Sequence, residues 1–167
     1  MTVAQIFNSV EAPNYRKQHI ATFQNTKQIV EALRTAELDS RPTSKRLAVV
    51  FNESNKKAVA AKVWYFLRNE IFYFAEPPED QNAKSLRRFL ADKTGDCKHF
   101  ATFAVGVLNA CGIPAWFTFV GQDPDKKKPN HAYCTALIDG KKYTIDPCRK
   151  YFNSQCDYFY RWDINRK

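Results

Sequence analysis

Three side chains in the second half of the sequence are of the types that perform thiol-dependent nucleophilic catalysis: Cys97, His131 and Asp146. A cysteine thiolate attacks a carbonyl carbon, a histidine moves the proton, and a carboxylate hydrogen-bonded to that histidine orients its ring. The other four cysteines are Cys111, Cys134, Cys148 and Cys156. We interpret all four as small buried hydrophobic residues, because no CxxC pair and no Cys/His cluster with zinc-ligand spacing occurs. We therefore expect no metal site, no cofactor and no disulfide framework.

Cys97 lies at the start of a predicted amphipathic helix. Asp96 is a natural N-cap, and Gly112 followed by Pro114 is typical of a helix end. Between them apolar residues recur at helical spacing: Phe100, Phe103, Ala104, Val107, Leu108 and Cys111. The free N–H groups and the positive dipole end of a first helical turn favour a thiolate. A cysteine at this position can instead simply pack, and an inward-pointing Asp96 carboxylate would oppose thiolate formation.

His131 and Asp146 lie on two strand-like segments joined by Asp139-Gly140, a strong signal for a two-residue hairpin turn. With that turn, Tyr133 lies opposite Asp146, and His131 becomes its diagonal neighbour on the same face of the hairpin. Diagonal neighbours have backbones roughly 7–8 Å apart, a span that these two side chains can bridge. We expect the two side chains to meet, provided that no bulge shifts the register.

The remaining pattern is mainly helical. It predicts helices over residues 15–33, 54–71 and 85–91, with Ser54 as a possible N-cap, and a strand over 113–121. The polar stretch 39–44 and the Pro77-Pro78 pair are interpreted as breaks, and residues 47–51 fit either a helix or a strand.

Composition sets limits on function. The 167 residues favour one compact domain, and 14% aromatic content is incompatible with intrinsic disorder. No apolar stretch is long enough to span a membrane and no secretory signal is evident, so we expect a cytoplasmic protein. The net charge of +9 comes from scattered basic clusters without a nucleic-acid-binding motif. We expect an acidic protein or peptide substrate instead, since Lys126-Lys127-Lys128 lies just before His131.

Four short motifs together resemble the transglutaminase-like superfamily. They are Gly95-Asp96-Cys97, Cys111-Gly112-Ile113-Pro114-Ala115, His131-Ala132-Tyr133 and Thr144-Ile145-Asp146-Pro147, in the order typical of that family. The resemblance spans roughly residues 55–150. It implies an α+β, papain-like core in which a central helix starting at the cysteine packs on a small antiparallel sheet, with extra N-terminal helices. Residues 1–53 would be a helical extension that packs on the core, and residues 54–167 the catalytic core with an aromatic C-terminal tail.

The resemblance also implies an activity. Cys97 would be the nucleophile, His131 the general base and acid, and Asp146 the residue that orients His131. The reaction would be acyl transfer through a thioester, with water or an amine as acceptor, most simply hydrolysis of a peptide, isopeptide or amide bond. The alternative is a catalytically silent structural or binding protein, such as a phage virion component. Small members of this kind are familiar from phages and Bacteroidetes, which adds a virion to the expected locations.

The oxyanion hole needs two donors. The backbone N–H of Cys97 is one, because a helix N-terminus presents free amides to a developing anion. The candidates for the second donor, or for substrate binding, are Gln81, Asn82, Tyr73 and Tyr133. The alternative for each is an ordinary polar group of a loop or a tyrosine at the edge of the core. Tyr133 stands where the family commonly has Trp. His99 falls off the apolar face of its helix, and we expect it at the surface or at the rim of the site.

Overall fold

The computed structural model describes residues 5–6, 17–20, 26–77 and 80–164. Besides the helical residues 5–6, these ranges contain the helices α1 Thr26–Asp39, α2 Arg41–Phe51, α3 Lys56–Glu70, α4 Leu86–Asp92 and α5 Cys97–Ala110. The strands are β1 Lys17–Ile20, β2 Phe72–Tyr73, β3 Gln81–Lys84, β4 Thr94–Gly95, β5 Ala115–Gly121, β6 His131–Ile138, β7 Lys141–Ile145 and β8 Tyr160–Ile164. Among the described helices, none combines the length and the apolar composition that a bilayer crossing requires.

Helix α5 is the centre of the fold. It packs on one face of an antiparallel sheet of order β7–β6–β5–β8, and α1, α2 and α3 pack around its other sides. Because it is enclosed on almost every side, all residues from Lys98 to Leu108 are buried. The expected α+β architecture, with a central helix beginning at the cysteine and packed on a small antiparallel sheet, is confirmed.

Local signals determine both ends of α5 and the hairpin that follows it. Asp96 is the N-cap, and Gly112 adopts φ +73° immediately after the helix, where a left-handed residue is favoured. Asp139 and Gly140 have φ values of 50° and 74°, as a type I′ turn requires. The pairing runs from Ile138 opposite Lys141 to Cys134 opposite Ile145, the register that the turn predicts.

The N-terminal part differs from the expected pattern. Residues 17–20 form β1 and pair with β3, and the helix begins at Thr26 and continues to Asp39. The other residues of the predicted 15–33 helix, 15–16 and 21–25, lie outside the described residues, as does Pro78. The 39–44 stretch interrupts the helices only at Ser40, because Pro42 lies in the first turn of α2, where a missing N–H costs nothing.

The second predicted helix has a different N-cap from the one expected. Asn55, and not Ser54, caps α3, since its side-chain oxygen accepts a hydrogen bond from the Ala58 N–H at 3.1 Å. The ambiguous 47–51 segment is helical. Its Leu47 and Phe51 are fully buried in the same core cluster as α3 and α5.

The aromatic C-terminal segment contributes the fourth strand of the main sheet. Strand β8 pairs with β5, with Trp162 opposite Phe119. The chain before β8 covers the sheet face that α5 leaves open, where Cys156 packs with Val120 and Tyr133. Side chains on the opposite face of β6, such as Cys134, belong to the core beneath α5.

A short parallel pair leads directly to the start of α5. Strand β2 runs beside β4 with Tyr73 opposite Gly95, and the Phe74 N–H donates to the Gly95 carbonyl at 2.9 Å. A Cβ atom on Gly95 would lie 2.7 Å from the Phe89 ring and 2.9 Å from His99 Cβ, so only glycine fits this close approach. The pair therefore holds Tyr73 next to the turn that carries Cys97.

Candidate active site

Cys97 is the first residue of α5 and is partly exposed. The Asp96 carboxylate turns back over the helix end, where Oδ1 accepts a hydrogen bond from the Lys98 N–H at 3.2 Å. Cys111, Cys134 and Cys156 are buried, as interpreted from the sequence. The same interpretation is wrong for Cys148, which is exposed because it lies in the turn just after the end of β7.

His131 and Asp146 meet as the hairpin register predicts. His131 Nε2 donates to Asp146 Oδ2 at 2.8 Å, and the other carboxylate oxygen accepts the Cys148 N–H at 3.0 Å. Asp146 is only 1% exposed, so this pair is shielded from water. One carboxylate oxygen therefore orients the imidazole, and the other stabilises the turn that carries Asp146.

Helix α3 holds the turn that carries Asp146, a role that its sequence does not signal. Trp64 Nε1 donates to the Asp146 carbonyl at 3.0 Å, and Arg68 Nη1 donates to the Pro147 carbonyl at 2.8 Å. These bonds join residues about eighty positions apart in the chain. The helical stripe predicted α3, but only the folded structure places these two polar groups.

The Cys97 side chain also acts on the His131 ring. Burial alone would lower the pKa of His131, but hydrogen bonds to Asp146 and Cys97, together with their negative charges, raise it from 6.5 to about 10. The ring is therefore protonated at neutral pH. Since Nε2 is occupied by Asp146, Nδ1 is the ring nitrogen that remains for Cys97. The structure thus brings together all three predicted catalytic side chains.

The side-chain N–H groups of Gln81 and Asn82 donate to backbone carbonyls and not to this cluster. Gln81 Nε2 donates to the carbonyls of Glu76 and Pro77 at 2.7 and 2.9 Å. Asn82 Nδ2 donates to the Asp80 carbonyl at 3.0 Å, and the side chain is 2% exposed. Both amides bond to backbone carbonyls of nearby residues, Glu76, Pro77 and Asp80, which makes them structural groups.

Tyr73 lies close to the cluster. Its ring packs edge-on against Phe100 with centroids 5.8 Å apart. Burial raises its pKa further above the usual range, and the negative charges of Cys97, Cys148 and Asp96 add to the effect. The Tyr73 hydroxyl therefore keeps its proton and is a hydrogen-bond donor beside Cys97.

Tyr133 lies on the sheet face opposite α5. It is 1% exposed, its ring centroid is 6.1 Å from that of His131, and its hydroxyl accepts a hydrogen bond from Gln155 at 3.4 Å. Its ring lies beside that of His131, and it is too deeply buried to contact a substrate.

The prediction that His99 lies at the surface or rim is wrong. His99 is 2% exposed, and its Nε2 donates to the Asn82 carbonyl at 2.9 Å. Its Nδ1 lies 3.1 Å from the Asp96 backbone nitrogen. The helical pattern gave the wrong exposure for His99 because Glu76 and Asn82 lie against its ring and cover the polar side of the first turn of α5.

Lys98 completes a buried charge cluster under the start of α5. The residue is 4% exposed, and Nζ donates to Glu76 Oε2 at 2.9 Å and to the Asp96 carboxylate. Burial alone would raise the pKa of Asp96, but the hydrogen bond and charge of His99 and the charge of Lys98 hold it well below its usual range. Glu76, Asp96 and His99 have the spacing of a metal-ligand set, but the Lys98 ammonium already binds both carboxylates.

An open cleft of about 820 Å³ adjoins the cluster. Its lining residues are Arg68, Asn69, Glu70, Ile71, Phe72, Tyr73, Lys93, Phe100, Pro147 and Cys148. Tyr73 and Cys148 belong both to this lining and to the surroundings of Cys97. Phe72 is 71% exposed, and an exposed aromatic side chain beside a cleft is typical of a binding surface.

The sequence matches the family model of the transglutaminase-like superfamily over residues 44–147. The chain belongs to this superfamily. Its motifs, the central cysteine-bearing helix and the antiparallel sheet agree with that membership. No curated protein matches the chain with significant sequence similarity.

Two solved structures share the fold of this superfamily member. One is a candidate protease from Parabacteroides distasonis, with a TM-score of 0.59 and 18% identity. The other is a candidate cysteine protease from Cytophaga hutchinsonii, with a TM-score of 0.57 and 17% identity. The alignments cover 74% and 81% of this chain. The chain spans only 27% and 49% of those two proteins, so the likeness concerns one shared fold and not the whole of either protein.

Proposed function

We propose that this chain is a cysteine-dependent acyl-transfer enzyme that hydrolyses peptide, isopeptide or amide bonds through a thioester on Cys97. The observation that carries the proposal is the position of His131, which hydrogen-bonds to Asp146 through Nε2 and interacts with the Cys97 side chain strongly enough to raise the pKa of the ring. A protonated imidazole beside a thiol at a helix N-terminus stabilises the nucleophilic thiolate.

The first half of the reaction forms the thioester. The Cys97 thiolate attacks the substrate carbonyl carbon, and the negative charge moves to the carbonyl oxygen. The Cys97 backbone N–H is the first donor to that oxygen, and the Tyr73 hydroxyl is the second in our proposal. When the tetrahedral intermediate collapses, His131 gives its Nδ1 proton to the departing amine, and the acyl group stays on sulfur.

The second half of the reaction releases the product. Neutral His131 takes a proton from water, and the resulting hydroxide attacks the thioester carbonyl. The carbon–sulfur bond breaks, the acid leaves, and the imidazolium–thiolate pair is restored. Asp146 keeps its charge throughout, since its role is to orient the ring and to stabilise the imidazolium.

The cleft supports a polypeptide as substrate. It is open to solvent, its volume is within the range of about 300–1,000 Å³ typical of ligand sites, and Phe72, Tyr73 and Phe100 provide apolar walls. The exposed Lys126-Lys127-Lys128 loop precedes His131, so we propose that acidic protein segments are favoured.

The test uses a mixture of fluorogenic peptide amides and a labelled protein substrate. Wild-type protein should release the fluorophore, and Cys97→Ala and His131→Ala should each abolish the release while keeping a wild-type unfolding midpoint. Added hydroxylamine should intercept the thioester and yield a hydroxamate, and the ratio of hydroxamate to acid reports how freely an amine competes with water. Turnover that survives in Cys97→Ala would refute the proposal.

A further inference from the structure

A third potential ligand lies against the His131–Asp146 pair. Ligand atoms of His131, Asp146 and Cys156 all lie within 4.8 Å of one another. The three come from β6, from the turn after β7 and from the segment that precedes β8. The Cys156 side chain is 4% exposed and lies on the sheet face opposite α5. It has no part in the proposed acyl transfer.

An imidazole nitrogen, a carboxylate oxygen and a thiolate sulfur are the usual ligands of Zn²⁺. Bond lengths of about 2.0–2.3 Å at tetrahedral angles place ligand atoms about 3.3–3.5 Å apart. Since the three atoms already lie within 4.8 Å of one another, Cys156 Sγ would move inward by at most about 1.3 Å, and the 2.8 Å contact of His131 Nε2 with Asp146 Oδ2 would open slightly. Residues 154–159 form neither helix nor strand, and most of them are exposed. No helix or strand among the described residues would have to shift for Cys156 to move inward.

The charge around this group differs from that around Glu76, Asp96 and His99. There, the Lys98 ammonium contacts both carboxylates and takes the place of a cation. Among the described residues, the ion-pair partner found for Asp146 is His131 alone. No lysine or arginine of that part of the chain forms a salt bridge with it, so the positive charge that a metal ion would displace at Asp146 is the exchangeable proton of His131 and not a side-chain ammonium.

We propose that His131, Asp146 and Cys156 form a Zn²⁺ site behind the catalytic pair, with water as the fourth ligand. The metal takes the place of the proton between His131 Nε2 and Asp146, and the Cys156 thiol loses its proton to solvent. The inhibition that follows rests on the proposed function: a His131 held by zinc cannot deliver or accept the protons of the acyl-transfer steps.

The binding test removes the nucleophile, so that it does not depend on catalysis. Cys97→Ala protein, stripped of metal with a chelator, is titrated with Co²⁺, which gives a thiolate-to-cobalt charge-transfer band when a cysteine is a ligand. The band should appear in Cys97→Ala, disappear in Cys97→Ala/Cys156→Ser and persist in Cys97→Ala/Cys148→Ser. One equivalent of Zn²⁺ should displace the cobalt. Circular dichroism of each variant verifies the fold.

Cys97→Ala/His131→Ala provides a second test if Cys156→Ser fails to fold, since it also should lose the band. Absence of the band in Cys97→Ala, or its loss in the Cys148 variant with retention in the Cys156 variant, would overturn the site.

Inhibition is measured separately on otherwise wild-type protein. Zn²⁺ should inhibit peptide hydrolysis reversibly, and Cys156→Ser should raise the half-inhibitory concentration at least tenfold. Equal inhibition of both proteins would mean that zinc binds at Cys97 instead and would overturn the regulatory part. A protein that binds Co²⁺ through Cys156 but hydrolyses nothing would retain the site and reject the proposed function.

Discussion

The Nε2 atom of His131 lies 2.8 Å from Oδ2 of the buried Asp146 carboxylate. This contact determines which ring nitrogen serves Cys97 and keeps the imidazole protonated in the neutral range. Burial opposes protonation of His131, whereas the charges of Asp146 and Cys97 favour it. The resulting pKa of His131 is about 10. His131 and Asp146 therefore form an ion pair in the resting site, and the chemistry of the site should depend on the Asp146 charge.

Asp146→Asn should move the basic limb of the pH–activity profile. His131 must be protonated to release the leaving amine, and the wild-type ring loses this proton only near pH 10. The amide removes the negative charge, so the pKa of His131 falls and activity declines at a lower pH. At neutral pH we expect kcat/KM to fall about 10²-fold or more.

Kinetics between pH 5 and 10 and imidazole NMR signals measure the two effects of Asp146→Asn. Asp123→Asn, at a surface ion pair with Lys126, is the matched control and should leave both unchanged. A basic limb that stays in place in Asp146→Asn would show that the carboxylate does not set the protonation of His131.

Limited alkylation should distinguish the two exposed or partly exposed cysteines. Cys97 lies beside the protonated His131. The Cys148 residue as a whole is exposed, but neighbouring groups desolvate its thiol, and this desolvation and the negative charges of Asp146 and Cys97 raise the pKa of that thiol. Iodoacetamide reacts with thiolates, so at pH 7 Cys97 should be modified at least about tenfold faster than Cys148. Mass spectrometry of peptides at short reaction times gives both rates in one sample.

His131→Ala should remove most of that difference in alkylation rate. If Cys97 reacts no faster than Cys148 in the wild-type protein, or if His131→Ala leaves its rate unchanged, the thiol is not activated. That result would favour a structural or binding protein with the same fold.

Local sequence signals predicted the parts of the site that depend on neighbouring residues. The Asp96 N-cap located the start of α5, and Asp139-Gly140 determined the register that brings His131 to Asp146. The order of motifs then identified the superfamily.

Most of the missed features depend on contacts between distant segments. Strand β1 exists because residues 17–20 pair with residues 81–84, and no local pattern reports such a pairing. His99 is buried because the segment around Asn82 covers it. Cys156 approaches His131 only after β8 has joined the main sheet, and the spacing of these ligands resembles no zinc motif.

Lys98→Met should destabilise the protein strongly. The ammonium is buried and binds Glu76 and Asp96, so its removal leaves two carboxylates close together without their shared cation. Breaking a buried ion pair in this way costs about 3–5 kcal/mol of the free energy of unfolding. Urea denaturation measures the change.

The matched control for Lys98→Met is Lys62→Met. Lys62 forms an equally short 2.8 Å pair with Glu53, but both side chains are substantially exposed, and such pairs contribute at most about 1 kcal/mol. Similar losses for the two variants would mean that the buried cluster has no special importance for the start of α5.

Tyr73→Phe tests the second oxyanion donor. The β2–β4 pair holds Tyr73 opposite Gly95, and its ring packs on Phe100, so the variant loses only the hydroxyl while the ring contact remains. Loss of one donor to the tetrahedral intermediate lowers kcat by about 10²-fold. Because Tyr73 is 45% exposed, the free energy of unfolding should change by less than about 0.5 kcal/mol.

Tyr65→Phe, 62% exposed on α3, is the control with no expected effect on kcat. A wild-type kcat in Tyr73→Phe would exclude this hydroxyl and leave the Cys97 N–H without the partner that we propose.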